Sequence, residues 1–100
     1  MVIINELDKL KEAFAEHDLC VVKIGTSWCG PCKVVQKNIE DIENLHSDVY
    51  FIDVDAEEAD DIVDEFGVRN VPVVLVVKNG EVDSKTVGVQ TQAQLEDRLN

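Results

Sequence analysis

One hundred residues, 45% hydrophobic and 30% charged, suffice for one hydrophobic core and are too few for two; the composition excludes a disordered or low-complexity chain. Nine Lys and Arg against 21 Asp and Glu give a net charge of −12. That balance argues against binding nucleic acid or docking on an anionic lipid surface, both of which need a basic face.

In chain order, residues 2–4 (Val2-Ile3-Ile4) form a short apolar strand. Asn5 is placed to cap a helix whose first turn carries Glu6 and Asp8, favourable at the positive end of the helix dipole. Leu7, Leu10 and Phe14 recur at helical spacing and carry that helix to about His17. Residues 19–24 are almost continuously apolar and predict a buried strand, interrupted once by Lys23. Pro31 opens a second helix, because its missing N–H costs nothing in a first turn. Val34, Val35, Ile39, Ile42 and Leu45 supply its apolar face. Residues 49–54 predict another strand. Glu57, Glu58, Asp60 and Asp61 begin a third helix, and Gly67 stops it. Residues 71–77 are a β-branched run that tolerates Pro72 at its start. Asn79-Gly80 predicts a hairpin that returns residues 82–87 antiparallel. Thr91 and Gln94 have capping-box spacing, and Leu95 and Leu99 line a last amphipathic helix. The order β-α-β-α-β-α-β-β-α predicts an α/β fold: a central five-stranded sheet, mostly parallel and made mixed by the hairpin, flanked by four helices.

The chemistry concentrates in Cys29-Gly30-Pro31-Cys32, at the carboxyl end of the second strand, where open α/β sheets place their sites. A helix N-terminus offers free N–H groups and a positive field, which favour a thiolate over a thiol. Cys29 is the exposed, activated member. Cys32 lies about one turn on, close enough for a disulfide without large backbone movement. Cys29 thiolate would attack a target disulfide, and Cys32 would resolve the mixed disulfide.

Other sites are weaker. A zinc centre needs four ligands, which Cys29, Cys32, the distant Cys20 and His17 or His46 would supply only by accident of folding, so no metal is expected. An EF-hand pattern on Asp53, Asp55 and Glu57 fails at Glu58, where the loop requires glycine. The acidic run 57–65 predicts a solvated helix face, and Cys20 a small buried hydrophobe. Three cysteines are a poor disulfide framework. The start of the sequence has neither a basic region nor a long apolar run, so a cytoplasmic location is expected.

Trp28-Cys29-Gly30-Pro31-Cys32-Lys33 resembles the active-site string of thioredoxins. Arg69-Asn70-Val71-Pro72, Lys78-Asn79-Gly80-Glu81 and Val87-Gly88 fall where that family carries its other signature segments. The resemblance spans essentially the whole chain as one thioredoxin domain, residues 1–100. It implies the thioredoxin fold and a protein-disulfide reductase with Cys29 and Cys32 as catalytic residues. It further implies that Pro72 is the family's cis-proline, that Val71 presents backbone to an extended substrate, and that Trp28, Gly30, Pro31, Val71, Pro72 and Gly88 form an apolar substrate-binding rim. No cofactor would be bound. Electrons would come from a thioredoxin-reductase-type partner, often NADPH-linked, and pass to disulfide-containing proteins, with the chain a monomer. The alternative is a protein-binding subunit using the same rim. Oxidants and isomerases among the relatives commonly place a histidine between the cysteines, so Gly30-Pro31 favours a reductant.

Three departures from the family pattern stand out. Lys23 occupies the register of the usual buried Asp, Phe51 is matched to the Lys that partners it, and Gly25 replaces a Trp. Lys23 is therefore a candidate pKa modulator. As a cation beneath the site it would stabilise thiolates and make the protein more oxidising than a typical thioredoxin. Buried alone it would tend to lose its proton; snorkelling to an edge, it would do nothing.

Overall fold

The apolar run of the second strand sets the centre of the molecule, because a strand without a polar face must be covered on both sides. In the computed structural model, which describes all residues 1–100, the elements are β1 (Val2–Ile3), α1 (Leu7–Glu16), β2 (Leu19–Gly25), α2 (Gly30–Glu43), β3 (Tyr50–Asp55), α3 (Asp60–Phe66), β4 (Val73–Lys78), β5 (Glu81–Val87) and α4 (Gln92–Asp97). The sheet order is β1-β3-β2-β4-β5. β3 pairs parallel with β1 and β2, whereas β4 pairs antiparallel with β2 and β5.

Strand periodicity sorts the core into two layers. Val22, Ile24, Ile52, Val54, Val73 and Leu75 pack with Leu10 and Phe14 of α1 and Ile62 of α3. On the opposite face Val21, Phe51, Val74 and Val76 pack with Val35, Ile39 and Ile42 of α2 and Leu95 of α4. The same alternation turns Lys23 and Gly25 towards α2, in line with Val21. The sheet thus delivers both residues to the helix that begins at the cysteine pair.

Local signals account for most boundaries. Gly67 ends α3 with φ +62°, and Asn79 and Gly80, at φ +52° and +83°, make the left-handed pair that a tight hairpin requires. Thr91 and Gln94 form the expected capping box. Elsewhere the structure differs from expectation. Asn5 does not cap α1: Glu6 stands at that position without a side-chain bond. Asn5 Oδ1 instead accepts the Asp55 N–H at 2.8 Å, a donor at the last residue of β3. Glu57 and Glu58 lie in the turn before α3, which starts at Asp60. Val34 and Leu45 are exposed rather than part of the buried face of α2: Leu45 lies beyond the end of the helix, and Val34 is turned away from Val35.

Arg98 fastens the end of α4 to the sheet. Its Nε donates to Ser84 Oγ at 2.9 Å, Nη1 to Thr86 Oγ1 at 2.7 Å and Nη2 to the Val74 carbonyl at 2.8 Å. Arg98→Ala is expected to lower the unfolding free energy by about 2 kcal/mol, read as a shift in urea midpoint at constant slope.

Candidate active site

β2 ends at Gly25, and four residues later the chain enters α2 at Cys29. Cys29 is the N-cap of that helix: its Sγ accepts the Cys32 N–H at 3.1 Å, with Pro31 in the first turn. In the reduced protein that N–H and the helix dipole act on the sulfur carrying negative charge, which favours the Cys29 thiolate. Cys29 and Cys32 are joined as a disulfide with Cα atoms 5.2 Å apart. Cys29 is part exposed and Cys32 fully buried. Only Cys29 can meet a sulfur on another protein, and Cys32 can reach only Cys29. Exposure therefore fixes which thiol attacks and which resolves.

The neighbouring loops converge on this end of the sheet. Ile24 is paired with Val73, and Val73 with Val87, so Pro72 and Gly88 lie just past those pairs, beside the turn from β2 into the cysteine loop. The Val71–Pro72 peptide bond is cis. The Gly88 N–H donates to the Pro72 carbonyl at 2.8 Å, and Gly88 has φ +95°, a conformation that favours glycine. Pro72 itself is buried, whereas Val71 is half-buried, lies outside β4 and makes no hydrogen bond within the chain. Trp28 is 67% exposed, and Gly30 and Pro31 are exposed beside it.

Lys23 does not snorkel to an edge, and it is not alone. It is 8% exposed, and its Nζ lies 3.1 Å from Asp53 Oδ1. The partner differs from the residue expected by position. Phe51 stands opposite Val21 in the β2–β3 ladder and packs in the core, while Asp53 stands opposite Lys23. Sequence reasoning missed Asp53, although a signal was present: it is the one charged residue inside the apolar stretch of β3, as Lys23 is in β2. Gly25 was noticed only as a missing Trp. A β-carbon there would lie 2.9 Å from Cys32 Sγ and 3.1 Å from Lys23 Cε, so sulfur and lysine chain pack over its bare α-carbon.

No three His, Cys, Asp or Glu side chains converge as a possible metal set. Cys20 is fully buried in the α1/α3 layer, and burial pushes its thiol up to about 11. Its thiolate, and with it alkylation, is therefore suppressed at every pH well below that value. Mass spectrometry of the reduced native protein at about pH 8 should show one alkylated thiol, at Cys29, and the other two only after denaturation.

A disulfide at the start of a helix, one sulfur exposed and the other buried, on a mixed sheet flanked by two pairs of helices, defines a thiol–disulfide oxidoreductase. The thioredoxin family model matches residues 2–100. The chain is 34% identical to thioredoxin-1 of Schizosaccharomyces pombe over 85 residues, 85% of this chain and 82% of that one. It is 27% identical to the thioredoxin of Bacillus subtilis over 101 residues, 100% of this chain and 97% of that one. Among solved structures it superposes on oxidised mitochondrial thioredoxin 3 of Saccharomyces cerevisiae with TM-score 0.92 at 26% identity, covering 99% of this chain and 92% of that chain. The chain belongs to the thioredoxin family, and its activity is thiol–disulfide reduction.

Proposed function

We propose that residues 1–100 act as one thioredoxin domain, a monomeric cytoplasmic reductant of protein disulfides, recharged by a thioredoxin-reductase-type partner. The observation that carries the reading is the contrast between the two sulfurs, one part exposed at a helix N-terminus and the other buried behind it. Reaction starts when Cys29 thiolate attacks one sulfur of the target, forming a Cys29–target disulfide and releasing the other target sulfur as thiolate. Cys32 thiolate then attacks Cys29 Sγ. The Cys29–Cys32 bond forms, the second target sulfur leaves, and two electrons have passed to the target. No bound cofactor enters these steps.

The rim of Trp28, Gly30, Pro31, Val71, Pro72 and Gly88 positions the target. The free N–H and C=O of Val71 suit pairing with an extended segment around the target disulfide, since backbone groups covered by a partner must be hydrogen-bonded. Trp28 supplies exposed apolar area beside Cys29. Trp28→Ala is expected to lower kcat/KM for a protein disulfide about tenfold, mostly through KM, with little change towards a small disulfide such as oxidised glutathione.

The reading is tested by NADPH consumption in the presence of a thioredoxin-reductase-type enzyme and a disulfide-containing protein. Sustained turnover that is lost in Cys29→Ser supports it. Partner binding that survives Cys29→Ser, with no turnover in the unaltered protein, would instead favour a binding subunit.

A further inference from the structure

The polar groups beneath the resolving sulfur have a definite order. Lys23 Cε and Cys32 Sγ both crowd the same point above Gly25, so they can be no farther apart than those two short distances together. Beyond the lysine chain, its ammonium is held by Asp53, whose side chain is 28% exposed. A cleft of about 140 Å³, lined by Lys23, Gly25, Thr26, Ser27, Asp53, Val54 and Asp55, reaches the pair from outside. That volume has room for a few water molecules, and Thr26 Oγ1 on its wall is buried without a partner. The charged groups facing this spot are Lys23 from β2 and Asp53 and Asp55 from β3. β4 presents Val74 opposite Lys23, and α2 contributes its N-terminus and Cys32 itself.

We propose that Lys23 and Asp53 are a positioning pair for the resolving thiol, with the Lys23 ammonium favouring the Cys32 thiolate and Asp53 limiting how far. The inference rests on the reductase reading above and concerns its second step. The Lys23 ammonium donates to the Asp53 carboxylate at 3.1 Å, and an asparagine there would still accept from it, so Asp53→Asn removes a negative charge without leaving Lys23 unpaired. A fixed cation beside a buried thiol offsets the desolvation cost of the thiolate. The ammonium stands one bond beyond Cε, and a unit charge at such range raises the acid dissociation of a buried thiol by on the order of tenfold or more, of which Asp53 removes part. The Cys32 proton is given up to water before resolution. The thiolate attacks Cys29 Sγ, the Cys29–target bond breaks, and its electron pair departs with the target sulfur, which takes up a proton from water.

The two members of the pair should act with opposite sign, which a purely structural role would not give. In a Cys29→Ser background, the Cys32 thiolate is followed by ultraviolet absorbance against pH; Cys20, its thiol pushed up to about 11 by burial, stays protonated well below that pH. Adding Lys23→Met should lower the Cys32 acid dissociation constant at least about tenfold, and adding Asp53→Asn should raise it by a similar factor. With Cys29 present, Lys23→Met should slow resolution of a preformed mixed disulfide near neutral pH, and Lys23→Arg should restore most of the rate. Unmoved titrations, or shifts of the same sign in both variants, would overturn the proposal. If Lys23→Met fails to fold, the sign found for Asp53→Asn decides alone. Failure of the unaltered protein to reduce disulfides would sink the reductase reading itself, whereas a working reductase with an unmoved Cys32 would sink only this inference.

Discussion

Cys29→Ser is expected to abolish disulfide reduction, by on the order of 10³-fold or more, while leaving the fold intact. A serine hydroxyl stays protonated at neutral pH even at a helix N-terminus, so the advantage that the N-cap position gives a thiolate is lost. Cys32→Ser should behave differently. Cys32 is buried and takes no part in the first attack, so Cys29 still engages the target, now from a free thiol. With nothing to expel the target sulfur, the mixed disulfide accumulates. Incubation with a disulfide-containing protein, alkylation and intact mass should show a stoichiometric adduct on Cys32→Ser and none on Cys29→Ser. Adducts on both variants would mean that the buried sulfur reaches solvent and that the order of attack drawn from exposure is wrong.

The parts of this site that were legible in the sequence are those written in local chemistry. A Cys-x-x-Cys with Pro31 at the start of an amphipathic run says where a helix begins, and a helix start says which sulfur is activated. The hairpin at Asn79-Gly80 and the stop at Gly67 were equally local, because a left-handed backbone position admits few residues. What was illegible depends on which strand residues meet. A shift of two residues in β3 keeps every side chain on the same face of the sheet, so Phe51 and Asp53 fit the hydrophobic pattern equally well. Only the β2–β3 register shows that Lys23 faces a carboxylate. The capping role expected of Asn5 failed for a similar reason: its side chain could serve α1 or the last residue of β3, and a contact spanning 50 residues leaves no mark in local spacing.

Gly25 is where strand register and redox chemistry meet, and Gly25→Ala is expected to cost about 2–3 kcal/mol in the oxidised protein. The added methyl would sit 2.9 Å from Cys32 Sγ, 3.1 Å from Cys32 Cβ and 3.1 Å from Lys23 Cε. The lysine end can yield by rotation, but the sulfur cannot while it is bonded to Cys29 and its β-carbon is fixed on α2. On reduction the Cys32 sulfur is free to turn away, so the clash weighs more on the disulfide than on the dithiol. A thermodynamic cycle then requires the alanine variant to be the stronger oxidant. Its equilibrium with glutathione should move towards the dithiol by about tenfold for each 1.4 kcal/mol of difference between the two states. The checks are urea unfolding of both redox forms and the glutathione equilibrium, each against the unaltered protein. Equal destabilisation of the two forms with an unmoved equilibrium would mean that the backbone, not the sulfur, absorbs the methyl group. A larger loss in the oxidised form would confirm that glycine is required there by the Cys32 sulfur.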